Sequence, residues 1–159
     1  MSPRKDAIRE YIIAKNDESM AILNGLDEAD WGRPVYSTES ANWTVQGVLA
    51  HLADSERGLL GQLRRQAVGK QTIPADFDLQ HWNKRLVEKR GGEPPDDLRD
   101  EIRARFAEAL LVLAALPEDA LDRRGRHPRG DEPDVETCFR HMAEHRAGHA
   151  AEIRAALGR

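Results

Sequence analysis

The chain has 159 residues, with a hydrophobic fraction of 40%, a charged fraction of 33% and a formal net charge of -4. That length buries one substantial core, and the acidic balance argues against a general nucleic-acid binder, whose phosphate contacts need clustered Lys and Arg; small molecules or protein partners are expected instead. A single cysteine, Cys138, excludes an intrachain disulfide and any multi-cysteine zinc or iron-sulfur framework, so ligands for a metal must come from His, Asp and Glu.

The opening MSPRKDAIREYIIAKND has no apolar core long enough for a signal peptide, and no apolar run reaches membrane-spanning length. A cytoplasmic protein with no membrane partner is expected. Ser2-Pro3, a polar cap followed by proline, starts a first helix whose stripe runs through Ile8, Ile12, Ile22 and Leu26, interrupted by Lys15 and Ser19. Asp30 to Pro34 breaks the pattern and leads into an irregular stretch through Asn42.

Thr44 caps a second helix with Val45, Val48, Leu49, Leu52, Leu59, Leu60 and Leu63 on one face, ended by Gly69. Gln71 to Phe77 reads as loop, Leu79 to Lys89 as a short helix, and Gly91 to Pro95 as its stop. Asp96 or Asp97 then caps a third long helix carrying Leu98, Ile102, Phe106, Ala109, Leu113 and Leu116 and closed by Pro117. After the polar connection DRRGRHPRGDEP, the last helix runs from about Asp134 to Leu157. Four long amphipathic segments without a strand pattern or repeat predict an all-α fold. The expectation is one four-helix-bundle domain over residues 1–159, with long crossover loops and a short extra helix.

The chemistry concentrates in HMAEHRAGHAAEI, where His141, His145 and His149 recur every four residues. Residues four apart on a helix are neighbours and can converge on one ion. Each such step also rotates the side chain by roughly 40°, so His141 and His149 diverge by roughly 80° and cannot easily share that ion. On a helical wheel His149 falls roughly 30° from the core direction, His145 roughly 70° and His141 roughly 110°. His145 and His149 therefore form the pair that faces the bundle, and a metal is an efficient partner for imidazoles placed there.

Open metal sites generally want a third protein ligand. His51 on the second helix is the leading candidate, ahead of His81 in the short helix and His127 in the basic loop. The wheel puts His51 roughly 120° from its helix's apolar centre, on an edge beside Gly47, Ser55 and Gly58. A rim site is permitted there but not demanded.

The chain resembles the DinB-like (DinB/YfiT) superfamily through NWTVQGVLAHLADSERGLL in the second helix and HMAEHRAGHAAEI in the last, with HWNKR and LPEDALDR between them also similar. The resemblance covers nearly the whole chain. It implies a four-helix bundle, often a homodimer, that binds a divalent metal such as zinc or nickel through His51, His145 and His149. It further implies a metal-dependent transferase using a low-molecular-weight thiol such as bacillithiol or mycothiol, or a hydrolase. The alternative is a non-catalytic metal-binding stress-response protein. One position departs from the commoner motif, which has Gln where this chain has Glu152. That carboxylate could act as a base, orient a ligand or pair with Arg154, and ion pairing is favoured.

Glu56, His141 and Glu152 are the residues that could support the ligands from behind. Glu56 sits near the centre of its helix's apolar face, where it would either hydrogen-bond a ligand histidine or form an interior salt bridge to an arginine. Cys138 is expected to pack as a small hydrophobe. Trp31, Trp43 and Trp82 are expected to be packing anchors. The loop from Arg123 to Arg129 could attract an anion, although charged loops are usually solvated.

Overall fold

A computed structural model describes residues 1–37, 39, 42–71 and 73–159. Of the irregular stretch expected up to Asn42 and the loop expected from Gln71 to Phe77, residues 38, 40, 41 and 72 lie outside the described residues. The elements follow in the order α1 (Pro3–Asn24), β1 (Pro34–Val35), β2 (Trp43–Thr44), α2 (Val45–Ala67), α3 (Leu79–Arg90), α4 (Pro95–Ala115), a 3-10 turn (Glu118–Asp122) and α5 (Val135–Leu157). This is the expected all-α bundle of four long helices with a short extra one, and none of the described helices is long and apolar enough to cross a membrane.

The helix starts use the chain's own polar side chains. Ser2, Thr44, Asp78 and Asp134 each accept the backbone N–H three residues on, satisfying one of the donors that a helix start leaves open. α4 departs from expectation. It begins at Pro95 with Pro94 as its flank, so Asp96 and Asp97 lie inside the first turn, where their charge meets the positive end of the helix dipole without capping it. The two-residue ladder of β1 and β2, pairing Pro34 with Thr44 and Val35 with Trp43, was not foreseen, being too short to show a period-two pattern.

α1 packs on α5 and α4, and α2 packs on α4 and α5. The apolar core falls into two clusters, one holding Leu23, Leu49, Leu52, Ile102 and Ile153 and the other Ile8, Leu63, Leu113, Val135 and Phe139. The order in which each helix passes through them sets its direction. α1 and α5 run parallel to each other and opposite to α2 and α4, the variant topology that long connections at 25–44, 68–94 and 116–134 permit.

Between the two clusters lies a polar layer. Glu56 of α2 accepts both an Nη2 donor at 2.9 Å and the Nε of Arg146 on α5, while Arg146 also reaches Asn16 of α1. Of the two roles weighed for Glu56, the interior salt bridge is the one formed, because Arg146 saturates its carboxylate. The break in the α1 stripe has the same origin: Asn16 faces Arg146, and Ser19 folds its buried hydroxyl back onto the Asn16 carbonyl at 3.0 Å.

Candidate metal centre

The three histidines singled out in sequence converge. His51 comes from the second turn of α2, and His145 and His149 from consecutive turns of α5. The Nε2 atom of His145 lies 3.3 Å from that of His51 and 3.2 Å from that of His149. Three ring nitrogens facing one another repel through their lone pairs unless a proton or a cation stands between them. Ligand nitrogens about 2.0–2.1 Å from a tetrahedral ion sit about 3.3–3.4 Å apart, so the observed spacing fits that donor arrangement.

His51 is not on a rim. It is 1% exposed, because the segment before α2 folds over it: the Trp43 ring lies 4.7 Å from the His51 ring and 6.2 Å from that of His149. The wheel treats α2 as a lone cylinder and cannot see that cover. Trp43 is thus a packing anchor whose partners are the imidazoles themselves.

The same cover brings in a residue that sequence reasoning missed. Glu39 lies between β1 and β2, whose ladder pairs Pro34 with Thr44 and Val35 with Trp43, and it extends its carboxylate into the triad. One oxygen lies 2.9 Å from His51 Nε2, and the other lies 2.7 Å from His145 Nε2 and 3.5 Å from His149 Nε2. One donor atom from each of Glu39, His51, His145 and His149 falls within 4.8 Å of all the others. A signal was present in the sequence. Glu39 is the only acidic residue between Asp30 and Asp54, close before a histidine helix.

The rings are oriented from behind. Glu152 Oε2 lies 2.9 Å from His149 Nδ1, so that nitrogen carries the proton and the Nε2 lone pair is left for an ion. Of the roles weighed for Glu152, this contact is the orienting one. Ser55 Oγ lies 3.3 Å from His51 Nδ1, whereas the buried His145 Nδ1 has no partner among the described residues. Burial pushes His51 down and His145 down to about 4, keeping both neutral. For His149 burial works the same way, but Glu39 and Glu152 outweigh it and raise the ring. Burial alone would push the Glu39 carboxyl up; hydrogen bonds to His145, His149 and His51 hold it well below the usual range.

His141 does not join the cluster. Its ring stands edge-on to His127 at 4.9 Å, and its Nδ1 accepts from Arg129 at 2.8 Å. His81 is exposed on α3. Beside the triad opens a cavity of about 280 Å³ whose wall includes Glu39, His51 and His145, the polar Asp54 and His141, and the apolar Leu59 and Phe77. Trp82 is no buried anchor: 53% exposed, it lines this cavity and donates from its indole nitrogen to Asp54 at 3.3 Å.

The basic loop is largely tied down. Arg123, Arg124 and Arg126 donate to the carbonyls of Ala67, Glu132 and Ile73, and Arg129 pairs with Asp131. Cys138 packs against Gln66, and burial pushes its thiol up to about 11.

A family profile of the DinB superfamily matches residues 12–153. No curated protein matches the chain in sequence. Among solved structures, the chain is similar to YfiT from Bacillus subtilis, described as a probable metal-dependent hydrolase with an unusual four-helix bundle topology. That match has a TM-score of 0.77 at 18% identity and covers 98% of this chain and 87% of that one. It is also similar to the mycothiol-dependent maleylpyruvate isomerase, with a TM-score of 0.78 at 16% identity over 96% of this chain. A histidine-to-alanine mutant of that isomerase gives 0.76 at 14% identity. The chain spans 63% of the isomerase's length.

Proposed function

The chain belongs to the DinB superfamily, and from that premise we propose that it is a divalent-metal-dependent enzyme acting on small molecules, of the low-molecular-weight-thiol transferase or hydrolase type. One observation carries the reading: three helix-borne imidazoles converge, with the His145 Nε2 at the spacing of tetrahedral donors from the other two, beside a cavity large enough for a small ligand. His51, His145 and His149 would hold the ion, with zinc or nickel suited to an imidazole-rich site. Such an ion lowers the pKa of a bound thiol or water, or polarises an electrophile.

The chain's own residues supply the rest. Glu152 fixes the His149 tautomer, Trp43 excludes water from the rear of the triad, and the apolar cavity wall beside His141 receives the substrate. Mycothiol or bacillithiol is the thiol class proposed, in keeping with the mycothiol dependence of the isomerase that shares the fold. A second reading, a non-catalytic metal-binding protein, draws on Glu39: a fourth protein donor would close the shell. The cavity beside that donor favours the enzyme.

Metal analysis tests the site. The purified protein should hold about one divalent ion per chain and His149→Ala almost none; equal stoichiometry in the two proteins would refute it.

A further inference from the structure

Glu39 is held differently from the three imidazoles. His51, His145 and His149 stand on long helices with side chains 2%, 11% and 4% exposed, whereas Glu39 hangs from a connecting segment and its side chain is 30% exposed. The cavity wall contains Glu39, His51 and His145 but not His149. A ligand entering from the cavity therefore meets the carboxylate before it reaches the far imidazole.

Nor is Glu39 half of an ordinary ion pair. Among the described residues its carboxylate meets no lysine or arginine, only the three Nε2 atoms. If those nitrogens give their lone pairs to a dication, neutral imidazoles leave both charges uncompensated among side chains that are largely buried, and an anionic fourth donor is favoured there.

Resting on the metal reading above, we propose that Glu39 is an exchangeable fourth ligand: it completes the coordination of the resting protein and yields its place to an anionic sulfur or oxygen donor arriving from the cavity. A thiol would enter as its thiolate, its proton released to solvent. One anion replaces another and the charge at the ion is unchanged. Three ligands on long helices keep the ion in place while the fourth, borne outside the helices, gives way. The cluster thus reconciles a closed shell at rest with an open one at work.

The test uses cobalt(II) as the metal and 2-mercaptoethanol as the thiol. Cobalt affinity is measured by competition with a chromophoric chelator for the wild type, Glu39→Gln, Glu39→Asp and His149→Ala. The proteins are then saturated with cobalt and titrated with thiol, following the sulfur-to-cobalt charge-transfer absorption. Glu39→Gln should bind cobalt about ten-fold or more weakly, the scale on which metal sites respond to loss of a supporting carboxylate. It should nevertheless half-saturate with thiol at about one-tenth of the wild-type concentration, because the internal competitor is gone. Glu39→Asp should fall between the two and carries the test if the Gln variant does not fold by circular dichroism.

Unchanged cobalt affinity in Glu39→Gln overturns the proposal, as does a thiol half-saturation that stays or rises. Wild-type cobalt binding in His149→Ala would instead overturn the metal reading itself, so the two failures are told apart.

Discussion

Replacing Arg146 with methionine keeps most of the side-chain volume and removes every polar contact that Arg146 makes in the central layer. Arg146 and Glu56 have side chains 3% and 1% exposed, so no water can replace the lost donors. Glu56 would then be an unpaired charge or would take up a proton, and burial already pushes its carboxyl up against the pull of Arg146. Keeping a carboxyl of ordinary pKa near 4.3 protonated at pH 7 costs about 4 kcal/mol at 1.36 kcal/mol per unit. Breaking a buried pair by removing one partner typically costs about 3–5 kcal/mol. The two routes agree.

The sign with pH follows. In the variant Glu56 stays protonated in the fold and ionises in the unfolded chain, so the folded state binds more protons and stability falls as pH rises. The penalty relative to wild type should be about 4 kcal/mol at pH 7 and about 1 kcal/mol at pH 5. Urea unfolding followed by circular dichroism at both values measures it. Replacing Glu56 with leucine in the same chain should recover most of the loss. A penalty under about 1 kcal/mol at pH 7, an equal penalty at pH 5, or a double variant no more stable than the single one would refute the reasoning.

Burial and the nearby Arg129 push His127 down to about 3, and His141 down to about 4. An unfolded imidazole protonates near 6.5 while these stay neutral in the fold, so the metal-free protein should lose stability as pH falls below about 6.5. His127→Gln should flatten that slope by up to one proton; an unchanged slope would count against the neutral ring. Alanine at Gly125 would place its Cβ 2.9 Å from the Gln66 side chain, which is pinned by hydrogen bonds to the Arg123 and Pro133 carbonyls, and should destabilise by about 1–3 kcal/mol in thermal melts. Cys138 should resist a thiol reagent in the folded protein and react fully only in denaturant, as a buried thiol near 11 requires.

Helix periodicity reads well in this sequence because a long amphipathic helix repeats its pattern many times, so all four bundle helices and the short α3 fall where their stripes put them, although the cap expected for α4 does not form. The same periodicity ranks the last three histidines. His149 is buried while His141 and His145 are half-buried, in keeping with the rotation of about 40° per step. Glu56 is legible as anomalous, with a salt bridge to an arginine as one of its two roles, but which arginine is not, since Arg146 lies 90 residues away on another helix. Gly47 shows the same limit. It lies on α2 where a Cβ would stand 3.2 Å from Val87, letting α3 approach closely, and nothing local announces that contact.

The sequence by itself determined the helices, the polar interruptions in their stripes and the two imidazoles aimed inward from α5, because each depends on spacing along one element. Tertiary structure decided what faces those imidazoles. It sealed His51 under Trp43, turned Glu152 onto His149, matched Glu56 to Arg146 and carried Glu39 into the triad from a segment with no periodicity to read. Those pairings follow from where α2, α5, Trp43 and Glu39 come to lie, and an orientation on one helix carries no information about the neighbour that will cover it.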